Sequence, residues 1–437
     1  MKKLIAWSAI VCLACQYTML HAQLTKTEQK IVRSVDKNND EALELLKKAV
    51  NINSGSLNIE GVKAVGQLFE TEYRKLGFDV QWIPGDAFNR AGHLVATKLG
   101  KKGPRILMIG HLDTVFEPDS PFQQYTMLND SMMHGPGVLD MKGGDVIMLL
   151  AIKALHEQKQ LDDVSIKVFL VGDEELSGSP LELSKKDLIE AGQWADIALG
   201  FEDGDGKAEN ANISRRGSAD WTLTVKGTAA HSSQIFQPEV GAGAIFETSR
   251  ILNEFYKQLS NEVNFTFNPG IISGGNSVTY NENTNRSEAF GKNNIVSAEV
   301  IVKGDMRAVS KEQLTRARSI MSEIIGNPLP NTSATLDFGD EGYPPMTMTE
   351  GNKELLAIFS KASEDLGFGK VNAVNPRNAG AADISFVADD VRMAMDGLGL
   401  CGTGGHTVEE TANIRYLPVE AKRTAVLIYR LSSIIFR

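Results

Sequence analysis

The stretch Ile106-Leu107-Met108-Ile109-Gly110-His111-Leu112-Asp113-Thr114-Val115 decides how this chain is read. It starts as an apolar run of strand length and ends in side chains that bind metal ions. The pattern recurs twice: the run 168–171 leads into Asp173, Glu174 and Glu175, and the run 197–199 leads into Glu202 and Asp203. In open α/β sheets, ligands bind in the crevice outside the carboxyl ends of the strands. Three strands ending this way deliver His, Asp and Glu to one crevice, a donor set suited to hard or borderline divalent cations such as zinc.

Working outward, helical spacing of apolar residues is expected over 41–50 and 59–76, the latter opened by Asn58 and closed by Gly77. Strands follow over 94–98 and 105–109, and a buried helix over 146–155. This alternation is that of an α/β fold, a sheet flanked by helices. At Ile213 the character changes. The segment 219–227 alternates as a half-exposed strand, and a helix over 241–259, a strand over 294–306, a helix over 311–325 and a strand over 333–338 follow. That order suits an inserted α+β domain of the ferredoxin-like kind. From Asn352 the chain returns to helices and short apolar runs, closing on a helix over 419–436. The expected organisation is a signal segment over 1–22, a discontinuous catalytic domain over 23–212 and 341–437, and an insert over 213–340.

With 437 residues, 42% hydrophobic and 23% charged, the chain can bury the cores of two or three domains. Its 55 acidic against 45 basic residues give a net charge of −10, which argues against nucleic acid as a partner, because phosphate binding needs a positive face. Lys2 and Lys3, the apolar stretch 4–14 and the Leu20-His21-Ala22 cleavage site before Gln23 read as an export signal, so a secreted or periplasmic mature protein is expected. The apolar stretch is shorter than the ~20 residues of a spanning helix. Cys12 and Cys15 lie inside the signal, and Cys12-Leu13-Ala14 is a poor context for lipidation of Cys15. The mature chain keeps Cys401 alone and forms no internal disulfide.

Each piece of the constellation has an ordinary reading when taken alone. His111 and Asp113 share one side of an extended strand end, so Asp113 can orient the ring that His111 presents to a metal, but an isolated core histidine would look the same. Asp140, after a glycine-containing loop and before Lys142-Gly143-Gly144, could be a helix cap. Glu174 and Glu175 are adjacent carboxylates that face opposite sides of a strand end. One can bind metal while the other carries protons, as hydrolysis by a metal-activated water requires, or both can be a solvated turn. His406 sits in a Gly-rich loop, Gly402-Thr403-Gly404-Gly405-His406.

Together these pieces resemble the di-zinc exopeptidases and amidohydrolases of the glutamate carboxypeptidase, aminoacylase and succinyl-diaminopimelate desuccinylase family. GHLDTV, GPGVLDMKGG, GDEELSG, FED and GGHTVEE stand in the family's order over nearly the whole chain. The resemblance implies a zinc-exopeptidase-like fold with the insert as its lid or dimerisation domain, two zinc ions (or cobalt or manganese) per subunit, and a homodimer. It implies that His111 and Glu202 bind one ion, Glu175 and His406 the other, and that Asp140 bridges both. Glu174 becomes the general base, with Asp113 orienting His111. In the insert, His231 matches a histidine that polarises the substrate carbonyl from the partner subunit, Asn294 an asparagine that binds substrate, and Arg307 an arginine that grips the substrate carboxylate. Arg216, in Arg215-Arg216-Gly217-Ser218, resembles the desuccinylase branch. The ordinary reading of each of these four, taken alone, is a solvated surface charge or polar turn.

Two departures bear on specificity. Gly342-Tyr343-Pro344 stands where glutamate-releasing relatives carry an arginine in Gly-Arg-Pro, and Arg377 is another source of positive charge. Asp203 follows Glu202 where relatives often have proline. His93, His134 and His156 read as structural, and Trp82, Trp194 and Trp221 as core or interface. No Gly-x-Ser-x-Gly elbow offers a serine mechanism. The expected activity is that of a zinc-dependent carboxypeptidase acting on a peptide or N-acyl amino acid next to a free carboxylate. An N-acyl-amino-acid deacylase and a catalytically silent solute-binding or assembly protein are the rival readings.

Overall fold

The 106–109 run forms as the strand Arg105–His111 and takes an inner place in a six-stranded sheet. This is seen in a computed structural model that describes residues 24–282, 284–339 and 342–434; the expected signal segment and its two cysteines lie outside the described residues. Across the sheet the strands run Asp79–Pro84, Gly92–Lys98, Ser165–Val171, Arg105–His111, Ile197–Gly200 and Met393–Met395. The last four are mutually parallel, and the first two join antiparallel. Parallel strands covered on both faces carry continuous apolar runs, which explains why this part of the sequence does not alternate. Ile106, Met108, Val168 and Leu170 pack into one core with helices α1 (Lys26–Val50), α2 (Ile59–Lys75) and α3 (Lys142–Glu157). Leu107, Ile109, Phe169 and Val171 point the other way, onto α4 (Leu181–Trp194).

Helix α1 starts fifteen positions before the expected residue 41. Thr25 and Glu28 form a capping box, Glu28 N donating to Thr25 Oγ1 (3.2 Å) and Thr25 N to Glu28 Oε2 (2.7 Å). On its inner face Ser34 and Asn38 donate to Glu157 of α3 (2.6 and 3.2 Å), and these buried polar residues break the apolar periodicity.

The insert is an antiparallel sheet with the spatial order Thr266–Gly275, Glu299–Ala308, Gly217–Gly227, Thr332–Asp337. Helices α5 (Gly243–Leu259) and α6 (Lys311–Ile325) complete the β-α-β-β-α-β order. It has its own core, in which Trp221, Leu223, Val225, Ile251, Phe255, Val302 and Met321 are buried. The strand expected over 294–306 begins at Glu299, so Asn294 lies in the preceding turn. The edge strand Thr266–Gly275, with no buried residue and interrupted at Pro269 and Gly270, and the hairpin Ser277–Asn281 with Arg286–Phe290 carry no apolar pattern that marks them in advance.

The chain leaves the main sheet and returns to it through two segments that pair with each other. Arg215 and Met346 exchange backbone hydrogen bonds (3.0 and 3.1 Å), as do Ser218 and Tyr343 (2.9 and 3.0 Å), making a two-stranded ribbon at the hinge. Beyond it α7 (Glu350–Asp365) and α8 (Leu417–Leu431) pack into the first core, α8 ending short of the expected 436. Among the described residues no helix is long and apolar enough to cross a membrane.

Candidate active site

The carboxyl ends of the parallel strands converge. His111, the last residue of its strand, has Nδ1 3.0 Å from the Asp113 carbonyl oxygen and 3.5 Å from Asp113 Oδ1. This turns Nε2 toward Asp140 Oδ1 at 3.0 Å and Glu202 Oε1 at 3.5 Å. The other oxygen of Asp140, Oδ2, is 3.0 Å from His406 Nε2, which is also 3.0 Å from Glu175 Oε2. Two triads result, His111–Asp140–Glu202 and Asp140–Glu175–His406, each with its donor atoms within 4.8 Å of one another, and Asp140 belongs to both. The first is the more enclosed, with His111 buried and Asp140 and Glu202 half-buried. The second opens to solvent on the side of His406, whose side chain is 59% exposed.

Three of the loops that carry triad residues are held by a carboxylate from elsewhere in the chain. Buried Asp113 accepts from Ser56 Oγ (2.6 Å), Glu174 N (3.0 Å) and Glu175 N (3.1 Å), so it fixes the turn bearing both glutamates. Glu410 accepts from Gly137 N (3.2 Å), Leu139 N (2.8 Å) and Asp140 N (3.1 Å). Asp396 accepts from Glu202 N (3.2 Å) and from Arg215 Nε (2.8 Å), while Arg215 also donates to the Gly380 carbonyl (3.0 Å). Glycine makes the close packing possible at Gly144: a Cβ there would lie 2.0 Å from the Phe201 carbonyl, so only glycine lets α3 start against the neighbouring loop.

Glu410, Asp396 and Arg215 were not marked as functional by the sequence. A signal for two of them was present: Asp396 follows the apolar run 393–395 just as the ligands follow theirs, and Glu410 closes the GGHTVEE segment.

The electrostatics describe an excess of buried negative charge. Burial raises the carboxyl pKa of Glu174 and Glu202 well above the usual range, and raises that of Glu175 too; nearby carboxylates add to this. Burial and Asp140 push Asp203 up to about 7. Burial opposes ionisation of Asp140, yet hydrogen bonds from His111 and His406 outweigh it and hold that carboxyl below the usual range. His406 is pushed up to about 11 by Asp140 and Glu175. Burial disfavours the charged form of His111, but Asp113 and Asp140 win and its pKa lies well above the ordinary value. Two imidazolium groups cannot neutralise this set. One imidazole nitrogen with carboxylate oxygens in each triad is the donor chemistry of zinc, cobalt or manganese, and two dications would balance the charge.

The remaining sequence candidates lie apart from the triads. Asp203 is half-buried beside the second triad and belongs to neither. His231 is exposed in the insert, its Nδ1 2.8 Å from Ser233 Oγ. Asn294 sits beside it, its carbonyl accepting from Ser232 N (2.9 Å). Among the described residues no hydrogen bond or ion pair joins either to the triads. Arg307 pairs with Asp305 (3.0 Å). Arg216 donates to Thr266 Oγ1 (2.9 Å) and to the Arg377 carbonyl (3.0 Å). Burial and then the Arg377 and Arg307 cations lower its pKa, so the three guanidinium groups share one neighbourhood. Tyr343 does not stand free as an anion receptor: its hydroxyl donates to the Glu174 carbonyl (3.0 Å). His93 is structural, its Nε2 3.0 Å from the Ser184 carbonyl, and Trp221 is core.

The profile of the peptidase family M20/M25/M40 matches residues 107–430. Carboxypeptidase G2 of Pseudomonas sp. (strain RS-16) is 27% identical over 398 residues, covering 90% of this chain and 89% of that protein. A succinyl-diaminopimelate desuccinylase of Gluconacetobacter diazotrophicus is 31% identical over 170 residues, covering 36% of this chain and 43% of that protein. In fold, the chain is similar to the crystal structure of aminopeptidase PepT from Bacillus cereus, with a TM-score of 0.71 at 18% identity over 91% of this chain and 99% of that one.

Proposed function

The chain belongs to peptidase family M20/M25/M40 and is a metal-dependent hydrolase, and from that premise we propose that it hydrolyses an amide bond next to a free carboxylate as a two-zinc carboxypeptidase. The observation that carries this reading is Asp140, whose two oxygens each face a separate His–carboxylate pair. His111 and Glu202 would hold one ion, Glu175 and His406 the other, with Asp140 between them. When bound, the ion pair would polarise the scissile carbonyl and lower the pKa of the attacking water. Glu174 takes a proton from that water and passes it to the leaving nitrogen, a task suited to a carboxyl whose pKa burial raises well above the usual carboxylate range. Asp113 serves both pieces, since it contacts the His111 ring and holds the amides of Glu174 and Glu175.

Arg307, with Arg216 and Arg377 beside it, would receive the substrate carboxylate. The similarity to carboxypeptidase G2 favours a peptidase. Tyr343, engaged with the catalytic loop, leaves preference for glutamate without its expected arginine. A second reading, an N-acyl-amino-acid deacylase, draws on the similarity to the desuccinylase, whose branch Arg215-Arg216-Gly217-Ser218 resembles. A silent solute-binding protein is disfavoured by Glu174, because binding alone has no use for a base beside the ligands. The exposed His231, together with exposed Phe236 and Phe246 on the same insert, supports a homodimer in which His231 and Asn294 serve the partner's site. The sequence of the first 22 residues supports export to the periplasm or beyond.

The test is turnover by zinc-loaded protein on two panels, dipeptides and N-acetyl or N-succinyl amino acids, with products read by mass spectrometry. Turnover of dipeptides supports a peptidase, and release of the carboxyl-terminal residue alone from an N-blocked tripeptide identifies the carboxypeptidase. Turnover confined to the acyl panel transfers the assignment to the deacylase, and none on either panel ends both.

A further inference from the structure

Glu174 is held at both ends of its backbone. Its amide nitrogen donates to Asp113 Oδ1 (3.0 Å), and its carbonyl oxygen accepts from the Tyr343 hydroxyl (3.0 Å). The single phenolic proton is spent on that carbonyl, so Ser177 Oγ, also 3.0 Å away, donates to the phenol oxygen. The Tyr343 ring meets Phe386 edge to face, with centroids 4.8 Å apart, and lies 5.6 Å from Lys185 Nζ. Lys185 is buried and paired with Asp173 (3.4 Å) and Asp383 (3.0 Å), which ties the ring to the segment just before Glu174 and to the 383–386 turn. Burial, with Asp383 and Glu174 nearby, keeps the phenol above its ordinary pKa, so it remains a donor through neutral pH.

The backbone of the same residue belongs to the hinge. Tyr343 exchanges two hydrogen bonds with Ser218 at the root of the insert's first long strand. Close packing there depends on Gly342 (φ +61), where a Cβ would lie 2.2 Å from the Ser218 carbonyl. Beside the ribbon a cleft of about 700 Å³, lined by Leu181, Lys185, Leu314, Pro344 and Phe386, separates α4 from α6. The two halves are therefore joined at this point through the ribbon and not by helix packing.

We infer that Tyr343 is a positioning residue through which the hinge of the insert sets the Glu174 loop, the consequence of placing a tyrosine hydroxyl, in a hinge strand, on the carbonyl of that residue. The inference rests on the reading of Glu174 as the base. With the Tyr343 hydroxyl in place, the peptide planes on both sides of Glu174 are fixed, and its carboxylate leaves the backbone in one direction. Without it the 174–175 peptide is anchored at its N–H alone, by Glu175 N on Asp113 Oδ2, and can pivot about that bond, which leaves Glu175 and its place beside His406 undisturbed.

Tyr343→Phe keeps the ring and removes the hydroxyl. Zinc content and melting temperature should stay near those of the parent, KM should move less than about twofold, and kcat should fall about 3- to 10-fold, the scale of one hydrogen bond. A structural role elsewhere could imitate that fall, so the decisive measurement is a double-mutant cycle by single turnover. In a Glu174→Gln background the added Tyr343→Phe change should cost less than about 1.5-fold, because the group it positions is already disabled. The same 3- to 10-fold loss in both backgrounds, a loss expressed in KM alone, or unchanged kcat would overturn the inference. The first leg of the cycle reads the underlying assignment by itself: if Glu174→Gln alone turns over like the parent, Glu174 is not the base.

Discussion

The main sheet and the insert treat their polar residues in opposite ways. In the main sheet the triad residues gather at the carboxyl ends of buried parallel strands and in the loops beside them, and groups far away in sequence hold those loops: Arg215 reaches Asp396 across 181 positions, and Glu410 reaches Leu139 across 271. In the insert His231 is bonded to Ser233 and Arg307 to Asp305, each two residues away, and both stay accessible. The first arrangement is organised before any substrate arrives. The second is complete only when something else, a substrate or a partner subunit, is laid against it. Preorganised donors aimed at a reacting centre contribute most to rate, so substitutions should rank accordingly.

The largest effects are expected among the preorganised groups. Glu174→Gln should lower kcat on the order of 10² to 10⁴-fold with metal content unchanged, because its role is proton transfer. Metal analysis beside kinetics checks this, and loss of zinc would exchange the roles given to Glu174 and Glu175. Asp140→Ala should release both ions, whereas His406→Ala should weaken chiefly one, since only Asp140 faces both triads. Equal stoichiometry in the two variants would contradict the bridge.

How legible each half was follows the same division. His111, Glu175 and Glu202 could be read because each follows an apolar run, a local signal, whereas Asp140 and His406 stood out through the resemblance, and the helix over 311–325 was found at its observed ends because its periodicity is intact. The supports were harder to read. Ser56 and Lys185 look like ordinary turn or helix residues until the fold brings them to their partners, and the signals at Asp396 and Glu410 do not say which loops those carboxylates hold. The long start of α1 was hidden by inward-facing Ser34 and Asn38, and the strand Thr266–Gly275 by its exposure at a sheet edge. Arg216 was chosen from the Arg-Arg pair for its resemblance to relatives, yet Arg215 is the buried one that braces Glu202 through Asp396. Adjacent arginines on an extended segment face opposite sides, and nothing local says which side is the core.

The next effect tests whether the insert joins the chemistry. If His231 acts on the scissile carbonyl of a partner's site, His231→Ala should cost roughly 10² to 10³ in kcat, the loss of one oxyanion donor, without disturbing zinc. Mixing inactive Glu174→Gln subunits with inactive His231→Ala subunits should restore activity, since each heterodimer rebuilds one intact site. No recovery in a verified heterodimer would rule out action in trans and leave the insert a passive cover.

A smaller effect separates the halves by pH. In the metal-free protein His406, held up to about 11 by Asp140 and Glu175, is protonated at neutral pH, and a coordinating imidazole must be neutral. Metal binding therefore expels protons, and affinity should rise with pH by about tenfold per unit for each proton released. Calorimetry in buffers of different ionisation enthalpy measures the number. The same shift acts on folding: the folded pKa lies above the ordinary 6.5, so this contribution to metal-free stability is full below about 6.5 and is lost as pH rises toward about 11. Zero proton release at pH 7 would mean that the imidazole–carboxylate contacts do not hold the charged form.

The smallest effect concerns how the two halves are held in register. Lys311, at the start of α6 in the insert, pairs at 2.6 Å with Asp389 of the catalytic part, but the two side chains are 61% and 56% exposed. An ion pair in water gains little, because screening and the entropy of two long side chains cancel most of the attraction. The hinge ribbon, by contrast, is a set of backbone hydrogen bonds flanked by buried Arg215 and Met346. Lys311→Ala should therefore change the melting temperature by about 1 °C or less and kcat by less than about twofold, at both low and moderate salt. A marked change in kcat from this distant exposed site would show that the orientation of the insert is set by surface contacts, and the hinge, with Tyr343 in it, would lose its claim to be what couples the two regions.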